Sequence, residues 1–214
     1  MTRYDIINRF IADRNYQRYL EIGAKQGECL TRVNAPIRIA VDPDPRSVAS
    51  YIMTSDAFFD MAKIYPSMEH EFSPDIIFID GLHEHNQVDR DIRNALGILS
   101  PDGVIILHDC LPTSEKMQEY HTESQDALWT GDVWKAFVKA RAELPYELYT
   151  IDSDFGCGII DTTIRKRSDT SALPTDMEQM TYEQFVNNPH WMNKKEDIID
   201  VRTTRKQHAR NRKS

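Results

Sequence analysis

The sequence predicts an α/β fold with a mostly parallel sheet. Three observations carry this. Short apolar runs alternate with stretches of helical period along most of the chain. Two of those runs, Ile76 to Ile79 and Val104 to Leu107, are apolar on both faces, as in strands at the centre of a parallel sheet. Both end abruptly in polar residues, Asp80 and His108-Asp109.

The elements follow in order. Ile6, Ile7, Phe10 and Ile11 fall at helical spacing, which places an amphipathic helix near residues 3 to 13. Tyr19 to Gly23 reads as a strand that breaks at glycine, with a helix over Glu28 to Val33 after it. Ile37 to Val41 is the second strand, closed by Asp42 and Pro43, and Ser50 to Thr54 the third. Ser55 or Asp56 then caps a helix containing Phe58, Phe59 and Met61.

Asp75 to Ile79 is the fourth strand. Val88, Ile92, Ala95, Leu96 and Leu99 make one helical stripe behind it. Pro101-Asp102-Gly103 turns the chain into Val104 to Leu107. A helix marked by Trp134, Phe137 and Val138, with Asp132 as N-cap, precedes two strands, Tyr146 to Ile151 and Gly158 to Asp161. The short link between those two implies an antiparallel hairpin. After about residue 165 periodicity fades, apart from a helix at Tyr182 to Val186.

Length divides the chain into an N-terminal helix (1–15), one main domain (16–165), an extension (166–201) and a basic tail (202–214). A net charge of −8 gives the body no general attraction to nucleic acid or to an anionic membrane. The tail, RTTRKQHARNRKS, is basic and reads as a solvated, disordered end; docking on an acidic partner or a membrane surface is the minority reading. The first residues, MTRYDIINRF, do not resemble a signal peptide, and no run is long enough to span a bilayer. Three cysteines without CxxC spacing fit a reducing cytoplasm better than a disulfide framework or structural zinc.

The turn Glu21-Ile22-Gly23-Ala24-Lys25-Gln26-Gly27 sits where open α/β sheets cradle nucleotides. Gly23 permits the tight turn and Gly27 the approach of a ligand. The spacing is GxxxG, not the GxGxxG of dinucleotide enzymes. Glu21 and Glu28 flank it, and carboxylates there repel a pyrophosphate but suit the ammonium and sulfonium of S-adenosylmethionine (SAM). Asp42 is placed to grip ribose hydroxyls, a role that NAD sites share.

YLEIGAKQGECL, AVDPDP, MTSDAFF, DIIFIDGLHEHNQVDRDI, GVIILHDCLP and GDVWKAF occur in the order seen in class I SAM-dependent methyltransferases. Over roughly residues 16 to 165 the chain resembles the branch that methylates oxygen on sugars and natural products. The resemblance implies a Rossmann-like, seven-stranded sheet with the last strand antiparallel and helices on both faces. It places Glu21, Gly23 and Gly27 along the methionine part of SAM, Asp42 at the ribose, and Ser55 and Asp56 by the adenine, with Asp80 also on the cofactor's rim. One departure is the short link from Asp42 to Ser50, which leaves little room for the usual helix.

Asp80 and Asp109 end two strands of the same design, so with His83 and His108 they converge on one rim of the sheet. Two carboxylates there suit a hard divalent ion, Mg²⁺ or Mn²⁺, that would bind and acidify an acceptor hydroxyl. His83 can take the proton. Related O-methyltransferases place metal carboxylates and a histidine at positions matching Asp80, Asp109 and His83. Some also have an acidic ligand where this chain has His108, which leaves His108 as ligand, supporting group or bystander.

Blander readings stand beside these. Asp80 could cap the next helix, and His108 could be a satisfied core histidine. His85 reads as exposed and without a role, and Glu84, Asp89 and Asp91 as solvated. His70, His121, His190 and His208 have no companions. Asp154-Phe155-Gly156 spells the kinase metal triplet by chance, since no glycine-rich loop or HRD accompanies it. The long connection from Leu111 to Thr130 reads as a lid or a mobile loop, with Tyr120, His121 and Trp129 able to touch an acceptor. Cys110 reads as packing.

The expected function is therefore a SAM-dependent, metal-assisted O-methyltransferase of a small hydroxylated acceptor. An NAD-dependent oxidoreductase and a non-catalytic SAM-binding protein are the alternatives. A homo-oligomer is compatible with the sequence.

Overall fold

The chain opens with α1 (Arg3–Arg14), closed in front by a capping box between Thr2 and Asp5 and behind by Asn15 in the left-handed conformation. β1 (Arg18–Ile22), β2 (Ile37–Asp42) and β3 (Tyr51–Ile52) follow, then α2 (Ser55–Ile64) and β4 (Ile76–Ile79). Next come α3 (His85–Ile98), β5 (Val104–Leu107), the single turn α4 (Glu115–Gln118) and α5 (Val133–Glu143). β6 (Tyr146–Ile151), β7 (Cys157–Arg165), α6 (Tyr182–Asn187) and β8 (Lys194–Lys195) come after these. The computed structural model describes residues 1–64, 73–119, 129–166 and 169–198. Tyr120, His121, His70, His208 and the basic tail lie outside the described residues.

The strands of the described residues join one sheet in the order β3-β2-β1-β4-β5-β7-β6-β8, parallel except that β7 runs against both β5 and β6. The expected hairpin is therefore present. The sheet has eight strands instead of seven, because Asn193 reaches the β6 backbone (Nδ2 to the Leu148 carbonyl, 2.8 Å) and brings Lys194–Lys195 alongside it. No local pattern announces a two-residue strand of lysines.

Alternate residues of each strand point to opposite faces. One face packs Leu20, Ile77, Ile79 and Ile105 under α2, α3 and α5, with Trp191 of the C-terminal segment. The other packs Tyr19, Phe78, Ile106 and Tyr149 against α1. The second face is pinned by Arg14, whose guanidinium pairs with both oxygens of the fully buried Asp161 on β7.

Several local expectations are corrected. Glu28 to Val33 forms isolated turns, not a helix: Thr31 and Val33 bond back to Gly27 and Cys29 (3.0 and 3.2 Å) and the ladder stops. Asn8 of α1 takes the Arg32 carbonyl and the Asn34 amide at 2.8 and 2.7 Å. Pro36 disfavours a further helical turn. The third strand shrinks from Ser50–Thr54 to Tyr51–Ile52, since β2 offers it a partner only at Val41 and Asp42. Neither Ser55 nor Asp56 caps α2; Thr54 does, through Oγ1 to the Ala57 amide at 3.2 Å. Asp132 occupies the N-cap of α5 but gives its carboxylate to His85 instead.

Asp91 is not solvated. It is 1% exposed, bonded by Gln87 Nε2 at 3.1 Å, and burial pushes its pKa up to about 6. Asp89 is half-buried between Arg93 and Lys139, and Glu84 is half-buried as well. The native state thus holds a proton on Asp91 that the unfolded chain has lost, so its ionisation lowers stability as pH rises from about 4 to about 6. Asp91→Asn should therefore leave stability unchanged near pH 4 and raise it by roughly 1–3 kcal/mol above pH 6. Urea melts at the two pH values measure this, and equal effects at both would contradict it.

Candidate active site

Parallel pairing of β4 with β5 aligns Ile79 with Leu107, so Asp80 and Asp109 leave neighbouring strands at the same rim. β1 lies on the other side of β4, and the order reverses between them, where open α/β sheets form their crevice. Gly23 (φ 92°) has no room for a side chain: a Cβ would stand 2.1 Å from the Asp80 carbonyl oxygen. The glycine turn thereby presses directly on the acidic rim.

There the imidazole of His83 spans the two aspartates. Its Nε2 is 3.2 Å from Asp80 Oδ1, and its Nδ1 is 3.3 Å from Asp109 Oδ2. Nδ1 is buried and lies off the hydrogen-bonding direction of that carboxylate, so it has no hydrogen-bond partner. Trp129 stacks on the same ring (centroids 5.1 Å apart, planes at 23°). The segment before α5 locks the loop further, with the Asp132 amide donating to the His83 carbonyl at 3.1 Å.

His108 is a second buried imidazole in the cluster. Nδ1 lies 3.4 Å from Asp80 and 3.2 Å from Asp109, while Nε2 faces Arg3 Nη1 at 3.2 Å and Asp154 at 3.6 Å. Burial opposes charge on this ring, but the carboxylates of Asp109, Asp154 and Asp80 around it outweigh that and raise its pKa well above the ordinary value. Burial likewise opposes charge on Asp80, yet His108 and His83 hold it well below the usual carboxylate range. Together with Lys25, Met117, Thr130 and Phe155 these groups enclose a cavity of about 280 Å³. Among the described residues, Asp80, His83 and Asp109 form the set whose potential ligand atoms all lie within 4.8 Å of one another.

The remaining candidates line the same rim further along. Asp42 accepts the Lys25 amide of the glycine turn and the Asp44 amide, each at 2.8 Å. The short link after Asp42 folds back onto that turn: the Val48 amide donates to Lys25, and a Cβ on Gly27 (φ 76°) would meet Val48 at 2.5 Å. Gly27 thus admits Val48. Glu21 is buried beneath the Tyr19 hydroxyl (2.6 Å), and burial raises its pKa to about 7. Ser55 and Asp56 both engage Gln87 of α3, at 3.1 and 3.2 Å.

His85, expected to be exposed, is buried. Its Nδ1 meets Asp132 at 2.6 Å and its Nε2 meets Glu178 at 3.2 Å, a clasp between α3, α5 and the C-terminal segment. Cys110 is fully buried, as expected. Two members of the cluster escaped the sequence reading. Arg3 gave no signal at all. Asp154 did, as part of the conspicuous Asp-Phe-Gly, but its partners Arg3 and His108 lie far from it in the chain.

Residues 20–110 match the profile of a family described as a methyltransferase domain. That span runs from β1 to one residue past Asp109 and contains Glu21, Gly23, Gly27, Asp42, Ser55, Asp56, Asp80, His83 and His108. No curated protein matches the chain. Among solved structures, an O-methyltransferase from Bacillus cereus in complex with SAH is 13% identical, with a TM-score of 0.51 over 72% of this chain and 78% of that one. An SAH-bound methyltransferase from Podospora anserina is 15% identical, with a TM-score of 0.51 over 75% and 76%. At such identity these two establish the fold. A methyltransferase-domain profile over residues 20–110 thus lies on a fold shared with SAH-bound methyltransferases.

Proposed function

We propose that the enzyme methylates a hydroxyl group of a small acceptor, a sugar or glycosylated metabolite, with help from a divalent ion. The observation that carries this is the His83 ring, set between Asp80 and Asp109 at 3.2 and 3.3 Å with one buried nitrogen unbonded. Two carboxylates and an imidazole form a donor set suited to Mg²⁺ or Mn²⁺. Asp80 and Asp109 would hold the ion, and when bound it would acidify and orient the acceptor hydroxyl. His83 would accept the proton, and the flanking carboxylates would stabilise the imidazolium that results. Trp129 fixes the plane of that ring and shields it from water.

In this reading His108 is a charge partner more than a ligand, because its Nε2 faces Arg3 and Asp154 and the surrounding carboxylates raise the pKa of the ring. Glu21, Gly23, Gly27, Asp42, Ser55 and Asp56 are assigned to SAM, with Asp80 beside the methyl group. The free cysteines at 29, 110 and 157 fit a cytoplasmic setting. Among the described residues no helix is long and apolar enough to cross a membrane.

Titration calorimetry with SAM and with NAD tests the cofactor; NAD binding without SAM binding would overturn the assignment. Transfer of a labelled methyl group to a panel of glycosides tests the acceptor. Dialysis against EDTA is expected to abolish transfer and added Mg²⁺ or Mn²⁺ to restore it. Undiminished transfer in excess EDTA would remove the ion from the scheme.

A further inference from the structure

The motif Asp154-Phe155-Gly156, unused by the chemistry above, forms the turn between β6 and β7. Its three residues lie consecutively in the left-handed region, at φ 51°, 59° and 88°. For a bulky residue such as Phe155 that backbone is unfavourable, and it persists only when the surroundings enforce it. Here they do. The Arg3 amide donates to Asp154 Oδ2 at 2.7 Å, and the Cys110 and Leu111 amides donate to the carbonyls of Gly156 and Phe155 at 3.0 and 2.7 Å. Gly156 sits so close to Leu111 that a Cβ would approach it to 2.4 Å.

The turn therefore holds an aromatic ring outside the core, 38% exposed. Phe155 lines the reaction cavity and also a second cavity of about 470 Å³, whose other walls include Leu111, Pro112, Tyr182, Phe185 and Val186. The first cavity is ringed by ionic groups and is small for a whole ligand at about 280 Å³; the two together fall within the usual range for small-molecule sites. Val186, at 55% exposure, is among the most exposed large apolar residues described.

We infer that this groove is the second half of the acceptor site, and that it takes an apolar, ring-sized substituent attached to the hydroxylated part. The inference rests on the methyltransferase reading of the neighbouring cavity and narrows it: the acceptor is a glycoside with an apolar aglycone, not a free sugar. The hydroxyl end lies at Asp80, His83 and Asp109. The aglycone passes Phe155 and lies against Tyr182 and Val186. Asp152 and Lys194, paired at 3.1 Å, close the polar side of the groove.

Phenyl β-glucoside and methyl β-glucoside, titrated by NMR into the full-length protein with and without SAH, test this. The phenyl compound should bind at least about tenfold more tightly, and its ring should shift the resonances of Phe155, Tyr182 and Val186. Val186→Asp and, independently, Phe155→Gly should bring the two affinities to within about twofold. Phe155→Gly removes the ring without backbone cost, because glycine is at ease at positive φ. Equal affinity of the two glucosides, binding of neither, or shifts confined to the reaction cavity would overturn the inference. SAH titration of the same samples reports on the cofactor site separately, so loss of SAH binding would instead count against the methyltransferase reading.

Discussion

Asp109→Asn should lower methyl transfer at least about a thousandfold while SAH binding changes by no more than about threefold. The substitution is well suited to the question. Asp109 adopts a left-handed backbone (φ 58°) that asparagine also tolerates, so the fold should not change. What disappears is the negative charge 3.3 Å from His83 Nδ1 and 3.2 Å from His108 Nδ1. Without it the imidazolium formed by proton uptake on His83 loses one of its two stabilising partners, and the proposed ion loses a ligand. Single-turnover transfer and calorimetry with SAH measure the two quantities. Turnover within tenfold of wild type would show that Asp109 serves the structure and not the reaction.

The largest expected effect on stability lies elsewhere. Arg14 of α1 pairs with Asp161 of β7, which is fully buried. Burial opposes charge on Arg14, but hydrogen bonding to Asp161 raises its pKa further above its already high value. Phe10 lies under the guanidinium, 5.0 Å from ring centroid to Cζ. Arg14→Met leaves the Asp161 carboxylate buried without its counter-charge, and should cost about 3–5 kcal/mol. Arg14→Met combined with Asp161→Leu should recover a large part of that loss, since an apolar pair of similar size avoids the desolvation of both charges. Chemical denaturation of the single and double variants measures the difference. A single-variant cost under about 1 kcal/mol would mean that water reaches the carboxylate.

Both predictions concern residues with very different legibility. Asp80 and Asp109 could be found without a structure, because each follows an apolar run that only a central parallel strand explains. Parallel pairing then leaves the two strand ends side by side. The capping of α2 and the missing turn after Gly27 were not legible. Propensity alone permits a helix over Glu28–Val33, and the competing hydrogen bonds come from Asn8, a residue far away in sequence.

His85 and Asp91 show the limit from another direction. Periodicity puts Asp91 off the apolar stripe of α3, and His85 falls on the first turn, where a polar residue is ordinarily exposed. Neither fact says which neighbours cover the remaining faces. Asp132 and Glu178 cover His85, while Ser55 and Gln87 surround Asp91. Polar residues buried by polar partners leave no hydrophobic trace.

By itself, then, the sequence determined the alternation of strands and helices, the acidic ends of β4 and β5, and the glycine turn against them. These depend on the local chain and on the period of its apolar residues, which any reader of the sequence can see. The tertiary structure alone decided that Arg3, His108 and Asp154 share one charge network, that His83 is wedged between two carboxylates, and that Phe155 faces two cavities. Several of these contacts join residues far apart in the chain, as Arg3 with Asp154 and His108. They depend on the angle at which side chains leave aligned strand ends, and no local pattern encodes that.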